Sequence, residues 1–192
     1  MDSRTGKFKK LNQALKTSEK PKGYAITQMI ITDDGQYFAC CDKNRTVCLF
    51  KKDHPPTDPN APLEWTFNGK QLSHEIEVSS IAFGSRLDDQ NQKEHILFSI
   101  GKDRRLFEYN VYASEGHTEL VVHHCFFVEQ EALPSCCIWY PKKDSKEDLL
   151  LTANDEYKMK VWNPQAKQSR KTCLGPTYGG EIKQMKILKV ES

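Results

Sequence analysis

The segment 149–163, with the sequence LLLTANDEYKMKVWN, is the feature of this chain that most restricts its fold. An apolar run leads into a polar turn, and an alternating stretch then ends at Trp162. Strand-forming residues on both sides of a short polar turn predict a β-hairpin. Aligning Trp162 with Tyr109 and Phe50 reproduces the turn each time, because the residue eight positions upstream is Asn154, Gly101 or Asp42. The chain therefore contains three hairpins with one internal offset.

The repeat extends upstream of each hairpin. Short apolar strands are predicted at 26–32, 78–84 and 135–140, and a fourth copy begins at Ile182, where Gln184-Met185 matches Gln28-Met29. The terminal aromatics are 59 and then 53 residues apart, longer than the roughly 40–45 residues of a WD repeat. Loop insertions account for the excess. The Trp-Asp and Gly-His markers survive only as Trp162-Asn163 and Ser73-His74.

This pattern predicts an all-β chain that forms a partial WD40-type β-propeller, with about three four-stranded blades plus a leading strand. Propellers close with roughly four to eight blades, so we expect a portion of a longer propeller over residues 23–192. Residues 1–22 carry seven basic and two acidic side chains and are interpreted as a flexible tail. The alternative is a short basic amphipathic helix, with Phe8, Leu11 and Leu15 on one side, that docks on calmodulin or an acidic filament.

The overall charge argues against nucleic acid and membranes as partners. With 28 basic and 26 acidic residues, the net charge is only +2, which gives no global field for attracting polyanions. No apolar run is long enough to cross a bilayer, and the first residues lack a signal-peptide core. We therefore expect an intracellular protein whose seven cysteines are free thiols.

Candidate metal and catalytic residues have simpler structural interpretations. The candidate ligands for a zinc site are His123, His124, Cys125, Cys136 and Cys137. Adjacent strand residues point to opposite faces and no Cys-x-x-Cys spacing occurs, which favours core or interface thiols over a metal.

A carboxylate pair for acid-base chemistry would require Asp103 and Asp155 to act together. We interpret them, with Asp42 and Trp162, as structural residues of the blade turns, since Asp commonly accepts backbone hydrogen bonds there. Neither a nucleophile elbow nor a complete phosphate-binding loop occurs. The sequence predicts no enzymatic activity and no cofactor.

Three polar insertions, 53–62, 86–94 and 141–148, are predicted to be loops that contact partners. The alternative for each is a solvated loop without a partner. The candidate contact residues in and beside them are Lys52, Asp53, His54, Arg86, Asp88, Asp89, Lys142, Lys143 and Asp144. Residues 120–128, LVVHHCFFV, are predicted to form a central strand because they are almost continuously apolar.

Residues 23–190 also resemble a known family. The stretches ALPSCCIWYP, LLLTANDEYKMKVWN and RKTCLGPTYGGEIKQMKIL are similar to those of a cilia- and flagella-associated WD-repeat protein family from the calmodulin- and spoke-associated complex. The resemblance implies a non-enzymatic double-propeller scaffold in the axoneme, at the base of a radial spoke on the doublet microtubule, that relays signals to dynein. Its implied partners are other axonemal proteins, with no nucleic acid and no membrane. This chain contains no EF-hand loop, so direct calcium sensing is not implied.

Two other functions remain open at this point. One is a cytosolic WD-repeat adaptor, acting as a substrate receptor or in trafficking. The other is an RNA-associated propeller that binds through the basic amino-terminal segment, with a steep salt dependence.

Overall fold

The computed structural model describes residues 24–52, 65–87, 90, 92–114, 118–140, 147–175 and 181–188. Three four-stranded antiparallel sheets account for all the strands in these ranges. Blade 1 contains β1 (Ile26–Ile31), β2 (Tyr37–Asp42), β3 (Val47–Lys52) and β4 (Trp65–Gln71). Blade 2 contains β5 (Val78–Leu87), β6 (Lys93–Gly101), β7 (Arg105–Asn110) and β8 (Val121–Phe127). Blade 3 contains β9 (Pro134–Trp139), β10 (Leu150–Asn154), β11 (Lys158–Asn163) and β12 (Gln168–Leu174).

The blades are successive β-meanders, which confirms the predicted all-β partial propeller. The predicted hairpin offset is also confirmed, since the closing pairs are Cys41 with Val47, Ile100 with Leu106 and Ala153 with Met159. The same turn position has a left-handed backbone in each blade, at Arg45 (φ 67°), Arg104 (φ 66°) and Tyr157 (φ 61°). The repeat is therefore present in the backbone geometry as well as in the sequence.

Each blade also contains two β-bulges at equivalent positions. In the first strand of each blade the unpaired residue carries a hydroxyl, and these residues are Thr27, Ser79 and Ser135. In the last strand the bulge lies opposite the terminal aromatic, at Asn68, His123 and Arg170. Bulges bend a strand and increase its local twist, so both edges of every blade are twisted at the same points.

Two hydrophobic clusters join the blades. Between blades 1 and 2 the buried side chains include Ala39, Leu49, Ile81, Leu97 and Tyr109. Between blades 2 and 3 they include Phe98, Ile100, Leu106, Leu150 and Trp162. Burial of such apolar surface is the main stabilising contribution to the stack.

A close approach at Gly84 fixes how β5 and β9 pack. A Cβ atom on Gly84 would lie 2.5 Å from Cε3 of Trp139. The Trp139 ring is stacked on Phe98, with ring centroids 5.8 Å apart and an interplanar angle of 13°. The glycine therefore provides the space in which the indole bridges blades 2 and 3.

The prediction of a central strand at 120–128 is wrong. β8 is the edge strand of blade 2 and, among the described strands, pairs with β7 alone; its residues alternate between exposed and half-buried. Val122 and Phe126 pack on the two hydrophobic clusters, while Phe127 is 59% exposed and lies under the Arg105 guanidinium, 5.1 Å from its centroid. The continuous apolar run therefore comes from an edge strand with apolar residues on both faces.

The loop assignment for 86–94 is wrong at both ends. Arg86 lies in β5, and Glu94 lies in β6. Arg86 and Glu94 pair across these two strands. The β-ladder between β5 and β6 therefore includes residues whose polarity predicts a loop.

The predicted fourth strand is not formed. Residues 181–188 have no regular secondary structure, although the Ser135 hydroxyl donates to the carbonyl of Ile182 at 2.6 Å. A strand is defined by its ladder of hydrogen bonds, and no described strand pairs with this segment. Residues 1–22 lie outside the described ranges. Within those ranges no helix has the length and apolar character needed to span a membrane.

Candidate functional site

The three predicted contact loops leave the blade stack on the same side. In an antiparallel meander the first and third connections emerge from one face, and the second connection and the link to the next blade emerge from the other. The segments 53–64, 88–92 and 140–149 are a third, a first and a first connection. We call this side the loop face and the opposite side the turn face.

Of the candidate contact residues, only Lys52 and Arg86 are described. Lys52 ends β3 and its backbone N–H donates to the carbonyl of Gln36 at 2.8 Å. Asp53, His54, Asp88, Asp89, Lys142, Lys143 and Asp144 lie outside the described residues. The strand ends that flank them are on the loop face, so the chain enters and leaves all three segments there.

Arg86 makes an internal contact beneath the loop face. Its Nη2 donates to Oε1 of Glu108 at 2.9 Å, and its Nε donates to Oδ2 of Asp148 at 2.8 Å. Glu108 belongs to blade 2 and is 1% exposed, whereas Asp148 lies just before the second strand of blade 3. Burial raises the pKa of Asp148, and the Arg86 charge opposes that rise. Arg86 therefore links two blades electrostatically.

This network was not predicted from the sequence. Its members lie 22 and 62 residues from Arg86 along the chain, and no local pattern relates them. One weak signal exists at Glu108. This residue occupies the position just before the terminal aromatic, where blades 1 and 3 have Leu49 and Val161. A charged residue at an otherwise apolar repeat position indicates a buried polar contact.

A second polar contact joins blades 1 and 2 on the loop face. Nε2 of His95 lies 2.7 Å from Oδ2 of Asp34, and the Tyr37 ring packs edge-on against the imidazole at 5.4 Å. Burial acts to raise the pKa of Asp34, but hydrogen bonds from Thr32, Gln36 and His95 outweigh it and lower that pKa to about 2. The carboxylate is therefore held in its charged form.

On the turn face, Asp103 belongs to a buried polar network. Its carboxylate accepts the backbone N–H groups of Glu75 and Arg105, and Nδ1 of His74 lies 2.9 Å from Oδ1. Burial acts to raise the pKa of Asp103, but these hydrogen bonds and the nearby imidazole lower it overall. His74 belongs to the Ser73-His74 pair, which is what survives of the Gly-His marker in this sequence. The structure places it in direct contact with Asp103.

The network continues into the core of blade 2. Nε2 of His74 lies 2.7 Å from the Ser99 hydroxyl, which is 2.8 Å from the hydroxyl of Tyr109. Tyr109 donates in turn to Ser73 at 2.9 Å. Tyr109 is fully buried, and its terminal position in the repeat places the phenol where it completes this chain of contacts.

The other predicted turn residues make backbone or blade-internal contacts. Oδ1 of Asp42 accepts the N–H of Thr46 at 2.9 Å, and burial raises the pKa of Asp42. Oδ1 of Asp155 accepts the N–H of Leu133 at 2.8 Å. Nε1 of Trp162 donates to the Thr152 hydroxyl at 3.1 Å. Asp103 and Asp155 belong to the turns of different blades and each bonds its own surroundings.

The histidines and cysteines considered for zinc are not assembled into a site. The His123 and His124 rings stack at 3.9 Å in blade 2, whereas Cys136 and Cys137 lie in blade 3. In the described part of the chain, no group of three potential ligands is placed to hold a metal ion.

Blade 3 has an apolar face on which no other described blade packs. Ile138, Leu151 and Val161 form a row across this face, and all three are half-buried. The equivalent row in blade 2, formed by Ala82, Phe98 and Glu108, is buried by blade 3. The blade 3 face therefore has the composition of an interface between blades.

The opposite end of the stack is also apolar. On blade 1, Met29 and Ile31 are 52% and 55% exposed, and Ile31 pairs with Phe38. The aromatic cluster beside them contains Phe50 and Phe67. We call these two apolar surfaces the end faces. Between them, the first strands of the three blades and residues 183–187 line an axial cavity of about 700 Å³.

The chain is similar to curated proteins named "Cilia- and flagella-associated protein 251". It is 38% identical to the Tetrahymena thermophila protein over 194 residues, which cover 92% of this chain and 20% of that protein. It is 34% identical to the Mus musculus protein and 33% identical to the Pongo abelii protein, each over 88% of this chain. The chain spans 12% and 14% of those two proteins. No protein-family model matches the chain.

Solved WD-repeat structures share the fold. The structures described as "Crystal structure of RRP9 WD40 repeats" and "Structure of U3-55K" each match 84% of this chain and 41% of their own, with a TM-score of 0.52 and 14% identity. At this identity the likeness shows the fold alone. The chain is thus a partial WD-repeat β-propeller, homologous over nearly all of its length to one part of cilia- and flagella-associated protein 251.

Proposed function

We propose that this protein is a non-enzymatic WD-repeat scaffold of the motile ciliary and flagellar axoneme. It helps to anchor radial spokes to doublet microtubules and to relay the regulation of dynein-driven beating. The observation that carries the proposal is the 38% identity, over 92% of the chain, to a protein named for its association with cilia and flagella. The spoke and dynein roles extend that observation through the family resemblance of the sequence.

The blade stack supports a scaffold role through its rigidity. Arg86 and the pair of Asp34 and His95 bridge neighbouring blades, in addition to the two hydrophobic clusters. A body held by such contacts keeps its surfaces in a fixed relation, which is what a scaffold for several partners requires. Its loop face is available to partners, whereas its end faces have the apolar composition of interfaces between blades.

The loop face is the proposed contact surface for other axonemal proteins. Its blade 2 insertion contains Asp88 and Asp89, and its blade 3 insertion contains Lys142 and Lys143. Each insertion carries charged side chains of both signs, which suit partners with complementary patches, and such contacts mainly set association rates and specificity. Binding through this face is therefore expected to weaken as salt concentration rises.

Expression of tagged protein in ciliated cells tests the function. The expected result is a tag that stays in the axoneme after detergent extraction of the membrane. The paired variants Lys142→Glu with Lys143→Glu, and Asp88→Lys with Asp89→Lys, should reduce that retention. Lys43→Glu is the matched control, because Lys43 is an exposed lysine in the blade 1 turn on the opposite face.

Three results would count against the proposal. Diffuse cytosolic protein, released completely by detergent, would favour the adaptor function. Retention of RNA by the purified protein at low salt, lost steeply as salt rises, would favour the RNA-associated function. Equal retention of all variants would place the axonemal contacts outside the loop face.

A further inference from the structure

The side chain of Gln28, in blade 1, hydrogen-bonds the backbone of blade 2. It follows the bulged residue Thr27 in β1. Its Oε1 accepts the N–H of Ile81 at 2.8 Å, and its Nε2 donates to the carbonyl of the same residue at 3.3 Å. One primary amide thus satisfies both main-chain groups of a residue in the first strand of blade 2. Because the contact is to main chain, it requires a strand at this position and no particular side chain.

The same repeat positions meet between blades 2 and 3. Gln28 is one residue beyond a bulge, and Ile81 is two residues beyond the bulge of the next blade. Between blades 2 and 3 the corresponding residues are Ser80 and Cys137, and their side chains are hydrogen-bonded. In blades 1 and 2 the position after the first-strand bulge therefore contacts the following blade, and the glutamine in blade 1 reaches its backbone.

Residues 182–188 lie beside the first strand of blade 3. The Ser135 hydroxyl and the Cys136 thiol are 2.6 and 3.5 Å from the carbonyl of Ile182. The segment lines the axial cavity together with β1, β5 and β9. Met185 and Ile187 are half-buried, whereas the residues that alternate with them are exposed. The segment therefore alternates between half-buried and exposed side chains, even without a ladder.

Gln184 is one of the exposed residues of this segment. The sequences ITQMII at 26–31 and IKQMKI at 182–187 place Gln184 at the position of Gln28, and Met185 at that of Met29. Gln184 is exposed, and no described residue hydrogen-bonds its side chain. Lys186 replaces the half-buried Ile30 on the same side. The surface that this segment would present to a following blade therefore contains two polar side chains, Gln184 and Lys186.

We propose that Gln184 is a docking group for the main chain of a further inner β-strand. When a second strand pairs with them in a longer polypeptide, residues 182–188 become the first strand of a fourth blade, and the Gln184 amide pairs with the N–H and C=O of one residue in the first strand of the blade that follows. The occupant is a WD-type blade of the same polypeptide, since the curated relatives are several times longer than this chain. The inference concerns the propeller alone and holds whether or not the protein is ciliary.

Amide hydrogen exchange tests the proposal in two forms of the protein. One is the 192-residue chain, and the other is the native-length polypeptide isolated from source cells. Gln184→Met keeps the length of the side chain and removes the amide. In the native-length polypeptide it should raise exchange of the strand residue that its amide contacts in the following blade about tenfold, as expected for the loss of two neutral hydrogen bonds. In the 192-residue chain it should change nothing.

Two matched variants make the result interpretable. Gln28→Met should raise exchange around Ile81 in both forms, because both contain blades 1 and 2. Gln168→Met removes an exposed glutamine of β12 and should leave exchange unchanged in both. The proposal is overturned if Gln184→Met has no effect in the native-length polypeptide or has the same effect in both forms. A native polypeptide of no more than 22.1 kDa would also overturn it.

Discussion

Arg45 and Arg104 occupy the same turn position in consecutive blades and make the same contact. Both have a left-handed backbone, with φ of 67° and 66°. Arg45 donates from Nη1 to the carbonyl of Glu75 at 2.6 Å, and Arg104 donates from Nη1 to the carbonyl of Gln130. Both carbonyls lie in the segment that leads to the next blade. The arginine of each turn thus hydrogen-bonds the segment that leads into the next blade. It does so from a left-handed backbone conformation, which is unfavourable for a residue with a side chain.

The hydrogen bond of Arg45 stabilises the fold, whereas its left-handed backbone destabilises it. These opposing effects predict an unusual order of stabilities for variants at this position. Arg45→Ala loses the hydrogen bond and keeps the strained backbone. Arg45→Gly loses the bond but relieves the strain, so it should be about 1 kcal/mol more stable than the alanine variant. Urea unfolding of both variants measures the difference, and the Arg104 pair should show the same order. An alanine variant more stable than the glycine variant would contradict this account.

Removing Arg86 should be the most damaging single change tested at the loop face. Arg86→Met leaves Glu108 and Asp148 close together without their cation, and breaking a buried pair in this way costs about 3–5 kcal/mol. Arg170→Met is the control, because Arg170 and Glu147 form an exposed pair, worth about 0–1 kcal/mol. The unfolding free energy of each variant is the measurement. Adding Glu108→Gln and Asp148→Asn to Arg86→Met should recover part of the loss.

Gly84→Ala should loosen the contact between blades 2 and 3. The added methyl group would overlap the Trp139 ring and displace it from Phe98, and overpacking of this kind costs about 1–3 kcal/mol. Near-ultraviolet circular dichroism reports the indole environment, and denaturant unfolding reports the stability. Gly35→Asn provides the contrast, since open space surrounds Gly35 and asparagine tolerates its left-handed backbone. Similar losses from both variants would argue against the packing explanation.

The Asp34 carboxylate predicts part of the acid sensitivity. Its folded-state pKa of about 2 lies below the ordinary value of 3.8. Its contribution to stability is therefore complete above about pH 4 and is lost as the pH falls towards 2. The Asp34 side chain is 40% exposed, so solvent screening limits the contribution to about 1 kcal/mol.

Asp34→Asn should flatten the acid limb of a stability profile between about pH 4 and pH 2. Unfolding free energies measured across that range would show a shallower slope than in the unmodified protein. Asp33→Asn, at the exposed neighbouring position, should leave the slope unchanged. A variant profile that runs parallel to the original would remove Asp34 from the explanation.

Local repetition makes the fold predictable from the sequence. The offset from Asn154 to Trp162 reappears as strand register, because hairpin pairing depends on residues close together in the chain. The assignment of residues 120–128 fails because an apolar run carries no information about how many neighbours a strand has. The Arg86 network escapes prediction because its partners are set by how the blades pack. The segment 182–188 is recognisable as a repeat copy, but a strand also needs a neighbour with which to pair.

The paired bulges at Thr27, Ser79 and Ser135, with those at Asn68, His123 and Arg170, have a consequence for assembly. Because every blade is bent at the same two points, its inner and outer edge strands have the same shape as those of its neighbours. A further blade with the same two bulges would therefore present matching edges to the third blade.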